Sequence, residues 1–304
     1  MRIVVLGSGA MGSWLGALLH HAGHDVTLVA RHEHGAVMAA TGLLVTGKTQ
    51  LAVRPKVVLR AADAEPPELL VVAVKAYDTA AAIAEAAPIL GPKTLVLSFQ
   101  NGLGNVEAIG ERVDAKRVLA AVTTHGVTRV EPGHVEHAGV GYLRVGSPAG
   151  DLAAAKRVIE ALRGTGLDVE LSEAIVGEAW AKVVVNAAIN PLTAITGLRN
   201  GALLQVPALR ELMQRVVEEC VDVARAEAAP LPDEDMLARA RKVAELTAAN
   251  KSSMLQDVER GGRTEIDAIC GQIVERGRRH AIDTPVNLTL RALVKGVEES
   301  TRRR

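Results

Sequence analysis

The apolar positions of this chain follow two different patterns, which meet near Leu171. Before that point short apolar runs bounded by turn residues alternate with helical stretches, an order that predicts an α/β unit with a parallel sheet. Ile3 to Leu6 reads as a strand, followed by a glycine loop, an amphipathic helix and a second strand from Val26 to Ala30. Leu69 to Val74 is a continuous apolar run ending at Lys75, AYDTAAAIAEAAPIL reads as a helix, and Thr94 to Ser98 as another strand running into FQNGLGN. Val118 to Val127 and then GHVEHAGVGYLRVG alternate as strands leading out of the sheet. After Leu171 strand signals stop and helical periodicity continues to the end, with Ser172 as the expected N-cap beside Glu173 and Glu178. The expected domains are residues 1–171 and 172–304.

The glycine loop gives the first domain a chemistry. Gly7, Gly9 and Gly12 spell GxGxxG directly after the first strand, within the strand, loop, helix and strand order that a dinucleotide-binding fingerprint requires. Gly7 allows the tight turn, Gly9 lets the backbone approach a pyrophosphate, and Gly12 lets the helix pack close to the sheet. The anion then sits on the free amides and positive dipole end of that helix. The fold class is therefore α/β, an N-terminal Rossmann-type dinucleotide-binding sheet followed by an all-α C-terminal domain.

Arg31, at the end of the second strand, bears on which dinucleotide is held. An Asp or Glu there would bind the ribose 2′-hydroxyl of NAD, whereas a guanidinium suits the 2′-phosphate of NADP. Glu33, His32 and His34 blur this signal, and a solvated loop arginine is the alternative. Lys75 and Asn101 both follow the carboxyl ends of expected parallel strands, where open sheets bind ligands. Each also has a plain structural explanation, as a solvated lysine and as half of an Asn-Gly turn.

Composition narrows the classes. With 35 basic and 35 acidic residues the formal net charge is zero, which argues against nucleic acid held by bulk electrostatics. The 304 residues exceed one ordinary core. Cys220 and Cys270 lie in helical patterns, so buried thiols are expected rather than a disulfide. A functional loop starting at Gly7 leaves no room for a leader, and no apolar run is long enough to span a bilayer, so a cytoplasmic protein is expected. Nothing suggests a metal site. His125 receives no chemistry.

The second domain contains the most informative stretch, AWAKVVVNAAINPLTAI. Lys182, Asn186 and Asn190 are spaced i, i+4 and i+8 and stack on one helix face, with Trp180 just before them. Set among Val183, Val184, Val185, Ala187, Ala188 and Ile189, a lysine and two carboxamides need a polar ligand, because unpaired buried polar groups are costly. An exposed face that happens to carry Lys and Asn is the alternative. NKSSMLQDVERGGRTEID is the other dense segment: Asn250, Ser252 and Ser253 suit a small carboxylate, and Glu265 suits a substrate hydroxyl. An N-cap cluster with a surface glutamate would explain the same residues.

Taken together, the GSGAMG loop, VKAYD, QNGLGN, WAKVVVNAAINPLTAI, RNGALL, SSMLQD, RTEID and TPVN resemble the ketopantoate reductase (2-dehydropantoate 2-reductase) family over nearly the whole chain. The resemblance implies an oxidoreductase that reduces ketopantoate to pantoate with NADPH, in the pantothenate and coenzyme A pathway. It implies Lys182 as proton donor, with Glu265 as the second catalytic residue. It places the cofactor on Gly7, Ser8, Gly9, Ala10, Met11, Gly12, Arg31, Lys75, Asn101, Val127 and Glu265. It places the substrate on Asn101, Lys182, Asn186, Asn190, Asn200, Ser252 and Ser253. The partner is then a small molecule, neither nucleic acid nor membrane, and a homodimer is compatible with this reading. Cys270 and the Arg31 to Gly47 segment depart from the family pattern. Two other readings remain open: an NADP-dependent dehydrogenase of another 2-oxo or 3-hydroxy acid, and an NADPH-sensing regulator, against which the retained Lys182 and Glu265 speak.

Overall fold

The computed structural model describes residues 1–303. They form two compact units, one of residues 1–100 and 105–175, the other of residues 101–104 and 176–303.

In the first unit, β1 (Arg2–Leu6), α1 (Ala10–His21) and β2 (Asp25–Val29) follow the expected order. α2 (His32–Thr41), β3 (Leu43–Gly47), β4 (Leu51–Val53) and β5 (Lys56–Val58) come next, elements for which the sequence pattern carried no expectation. Then come β6 (Leu69–Val72), α3 (Thr79–Ala86), β7 (Leu95–Ser98), α4 (Asn105–Gly110) and β8 (Val118–Thr123). The unit closes with β9 (Gly126–Glu131), β10 (His134–Gly139), β11 (Leu143–Gly146), α5 (Leu152–Arg163) and β12 (Val169–Leu171).

Eight strands form the main sheet in the order β12-β11-β8-β7-β6-β1-β2-β5. It is parallel from β8 to β5, as expected, and β11 then runs antiparallel to β8. β1 shows why the sheet is buried on both faces. Ile3 and Val5 join Trp14, Leu15 and Leu28 on one side, and Val4 and Leu6 join Ile83 and Ile109 on the other. The ladder of β6 ends at Val72, two residues before the apolar run does.

The segment after Val118 also differs from expectation. β8 and β11 stay in the main sheet, whereas β9 and β10 form a second sheet in the order β4-β3-β10-β9. Burial separates them: every residue of β8 is buried, while β10 alternates and β9 is largely open. The small sheet packs against α1.

The second unit is helical: α6 (Ile175–Thr196), α7 (Pro207–Ala226), α8 (Met236–Leu246), α9 (Ser253–Glu259), α10 (Gln272–Arg279) and α11 (Pro285–Arg302). Among the described residues it holds no strand. α6 is apolar almost all round because it runs through the core, with Val183, Val184, Ala187 and Ala188 at most 1% exposed. It starts at Ile175, so Ser172 is not its N-cap; the Ser172 N–H instead donates to the Val145 carbonyl (2.9 Å), extending the β11 edge. The units divide at Ile175/Val176, where the sequence pattern suggested Leu171/Ser172.

Candidate active site

In the first unit the three glycines meet different demands. Gly7 has φ +88°, and a Cβ there would lie 2.6 Å from the Val74 nitrogen. A Cβ on Gly12 would lie 2.2 Å from the Gly7 carbonyl oxygen, so helix and loop approach closely only because both are glycine. A Cβ on Gly9 would meet nothing within 4 Å. Gly9 is the N-cap of α1 and supplies no side-chain cap, which leaves the first-turn amides of Ala10 and Met11 as donors for an anion. Open space at Gly9 beside an uncapped helix start fits a pyrophosphate.

Neighbouring side chains are committed to the fold. The Ser8 N–H and hydroxyl both donate to the Val29 carbonyl, each at 3.3 Å. His34 accepts the Gly133 N–H at Nδ1 (2.9 Å), which leaves Nε2 to carry the proton of the neutral ring toward the Ser13 hydroxyl 3.0 Å away. Burial, with help from Arg129, holds the His34 pKa below the usual histidine range. This residue is a structural brace.

Arg31 is the N-cap residue of α2, and its guanidinium pairs with Glu85 while remaining 61% exposed. Lys75 stands at the start of the single turn after β6, half-buried. Val127 lies in β9 and packs on the core below α1. One residue that the sequence reading passed over is Gln100, whose Nε2 donates to the Val74 carbonyl (2.9 Å) and the Thr79 hydroxyl (2.7 Å). It ties the end of β7 to the loop after β6.

In the second unit α6 carries the polar stripe inward. Lys182 and Asn186 are half-buried and Asn190 is buried, which excludes an exposed face. Burial pulls the Lys182 ammonium down to about 8, and the Glu265 carboxylate works against that shift. Trp180 belongs to the core, with the Arg276 guanidinium 5.6 Å from its ring centre.

The stripe continues to Thr193, which is fully buried and which the sequence reading missed, although it follows Asn190 at i+3. Its hydroxyl donates to the Asn190 carbonyl (2.8 Å) and lies 2.6 Å from the Ser252 hydroxyl. A hydroxyl has one hydrogen, and a carbonyl only accepts, so Ser252 donates to Thr193. Ser252 also accepts the Leu255 N–H (3.1 Å) as N-cap of α9. Its own hydrogen is therefore engaged within the fold. Ser253 opens α9 and is exposed.

Asn200 is buried in a short 3-10 turn (Asn200–Gln205) and donates from Nδ2 to the Thr247 hydroxyl (2.9 Å). Its Oδ1 is buried without a partner among the described residues. Asn250 is exposed, and its carbonyl accepts the Asn200 N–H (3.1 Å).

Glu265 is buried two residues before a π turn, Asp267–Gly271. The 101–104 segment docks on that turn: the Leu103 N–H donates to the Ala268 carbonyl (2.9 Å), and a Cβ on Gly102 (φ +89°) would lie 2.6 Å from the Ala268 Cβ. Asn101 thus follows a strand of the sheet, as expected, yet its segment packs with the helices.

Cys220 and Cys270 are free and buried, and burial pushes both thiols up. Among the described residues no group of three or more His, Cys, Asp or Glu is arranged to hold a metal. No helix among them is long and apolar enough to cross a membrane.

Comparison with known proteins identifies the family of both units. Residues 3–150 match the family profile described as ketopantoate reductase PanE/ApbA, and residues 174–298 match its C-terminal profile. A 2-dehydropantoate 2-reductase of Archaeoglobus fulgidus is 41% identical over 299 residues, covering 98% of each chain. The crystal structure of a PanE/ApbA family ketopantoate reductase from Ralstonia eutropha JMP134 superimposes with a TM-score of 0.93 at 35% identity, over 99% of this chain and 100% of that one. A D-mandelate dehydrogenase bound to NADH and anilino(oxo)acetate superimposes with a TM-score of 0.94 at 26% identity, over 99% of each chain. With both units matched in order, and a relative this similar along nearly the whole length, the chain belongs to the ketopantoate reductase PanE/ApbA family.

Proposed function

We propose that the protein reduces 2-dehydropantoate (ketopantoate) to pantoate with NADPH. The observation that carries this reading is Lys182, a lysine turned inward from an apolar helix with its ammonium held at about 8. At neutral pH it is still protonated, yet releases its proton more readily than an ordinary lysine.

NADPH, when bound, supplies a hydride to the 2-oxo carbon. The open Gly9 position and the uncapped start of α1 suit its pyrophosphate, and Arg31 suits a 2′-phosphate once the pair with Glu85 is exchanged for it. Negative charge develops on the substrate oxygen as the carbonyl is reduced. The Lys182 Nζ stabilises that oxygen and passes a proton to it, completing the alcohol. Asn186 and Asn190, on the same face, offer amide donors and acceptors to the hydroxyl side of the substrate, and Glu265 accepts from its hydroxyl. Asn101, brought to the helical unit by the turn at Gly102, serves the carboxylate. Ser252 contributes to that carboxylate only by giving up its bond to Thr193.

The likeness to D-mandelate dehydrogenase favours a second reading, reduction of another 2-oxo acid with the same donor and a different side-chain pocket. Initial rates with ketopantoate and a panel of oxo acids, each with NADPH and NADH, test both. A kcat/KM for ketopantoate no higher than for an aromatic oxo acid would overturn the first reading.

A further inference from the structure

The segment that carries Glu265 is gripped from one side by α11. Arg291, Lys295 and Glu298 are spaced i, i+4 and i+7 on that helix and so share a face. Glu298 is 5% exposed, and its Oε1 accepts both the Thr264 N–H (2.7 Å) and the Thr264 hydroxyl (2.6 Å). Thr264, 1% exposed, in turn accepts the Ile266 N–H at its hydroxyl (3.3 Å). On the far side of Glu265, Asp267 receives Arg291 at Oδ1 (2.8 Å) and Lys295 at Oδ2 (2.5 Å). Thr264, immediately before Glu265, and Asp267, two residues after it, are therefore both tied to one helix face.

A buried carboxylate is costly, and a hydrophobic side chain of similar volume would pack the same space more favourably. What the carboxylate adds is direction. Two donors converging on one oxygen allow the Thr264 backbone a single orientation, and the next residue is Glu265. The π turn that follows depends on the same segment, because the Ala268 and Ile269 N–H groups both donate to the Glu265 carbonyl (3.0 and 3.2 Å). That turn is also the platform for Gly102 and Leu103.

We propose that Glu298 is a positioning residue for this reaction, its Oε1 holding Thr264 so that the Glu265 carboxylate stays directed at the Lys182 ammonium. The inference rests on the reading of Lys182 and Glu265 as site residues. The other charged groups about the clamp are Arg263, 3.7 Å from Asp267, and Glu299 and Arg302, which line a cavity of about 310 Å³ beside Lys295 and Glu298. Glu298 itself lies 4.0 Å from Lys295.

The test compares Glu298→Gln, which keeps an acceptor oxygen, with Glu298→Met, which keeps the volume and loses the acceptor. The readouts are thermal melting, KM for NADPH, kcat with ketopantoate, and the pH dependence of Lys182 acetylation by acetic anhydride, followed by mass spectrometry. Glu298→Gln is expected within about threefold of wild type in kcat and KM, with melting and the Lys182 titration unchanged. Glu298→Met is expected to lose about tenfold or more in kcat. Its Lys182 titration moves below about 8, because a displaced Glu265 no longer supports the ammonium. Should Glu298→Met fail to fold, Thr264→Val, which removes one of the two donors, gives the same titration shift to a smaller extent, and Thr264→Ser restores it.

An unchanged Lys182 titration in Glu298→Met, or in Thr264→Val if the first variant does not fold, overturns the proposal. So does a Glu298→Gln variant as impaired as Glu298→Met, which would make charge the relevant property. A wild-type enzyme without turnover of ketopantoate would refute the assigned substrate, while the Lys182 titration, which needs no turnover, would still decide the role of Glu298.

Discussion

Burial and the Glu265 carboxylate pull the Lys182 ammonium in opposite directions, and burial prevails, leaving it near 8. The residue proposed as proton donor is thereby one that the fold would be more stable without.

Replacing Lys182 with Met therefore separates function from stability. Turnover falls by about two to four orders of magnitude, the usual worth of a general acid, while NADPH still binds, since the glycine loop belongs to the other unit. Cofactor fluorescence titration and ketopantoate kinetics check this together. Near-normal rates in the variant would remove Lys182 from the mechanism.

The pH dependence has a definite sign. A donor with a pKa of about 8 is charged below that pH, so kcat is flat from pH 6 to 7 and falls about tenfold per unit above 8 as the proton is lost. Because the folded value lies below the ordinary 10.5, the charged lysine costs stability below pH 8, and that cost fades as pH rises toward 10.5. Lys182→Met should melt above wild type at pH 7 and level with it near pH 10.5, as measured by calorimetry. A gap that widens with pH would contradict the assignment.

Gly9 and Gly12 predict opposite phenotypes for the same substitution. Gly9→Ala meets no protein atom within 4 Å, so its melting temperature stays within a degree or two while KM for NADPH rises about tenfold or more. Gly12→Ala sets a methyl 2.2 Å from the Gly7 carbonyl oxygen and should lower the melting temperature, with or without cofactor. Thermal shift assays with and without NADPH distinguish them; a destabilised Gly9→Ala would show that its role is architectural.

Arg31→Ala should raise KM for NADPH and leave that for NADH nearly unchanged, because only NADPH carries the 2′-phosphate. Glu85→Gln, which removes the competing carboxylate, should lower KM for NADPH. Equal effects of Arg31→Ala on both cofactors would reduce the arginine to an anchor of α2.

Much of this arrangement is legible in the sequence, for physical reasons. Helical and strand periods mark which side a residue faces, so the α6 stripe and the run from β1 through α1 to β2 announced themselves. The small sheet did not, because β3 pairs with β10 across about ninety residues, and such pairing leaves no local pattern. Ser252 illustrates the same limit: SSM by itself favours a helix cap over a ligand site, and only the Thr193 hydroxyl 2.6 Å away shows where its hydrogen goes.

The two-part architecture, the glycine loop and the inward lysine were all readable from local pattern, the first from the change of period near Leu171 and the others from spacing within one element. Only packing brings Arg31 to Glu85, docks residues 101–104 on the π turn, and sets α11 against Thr264 and Asp267 on either side of Glu265. Those relationships join residues far apart in the chain. Their distances and burial arise only when the elements pack, and the Lys182 pKa, a product of that burial and of the Glu265 charge, arises with them.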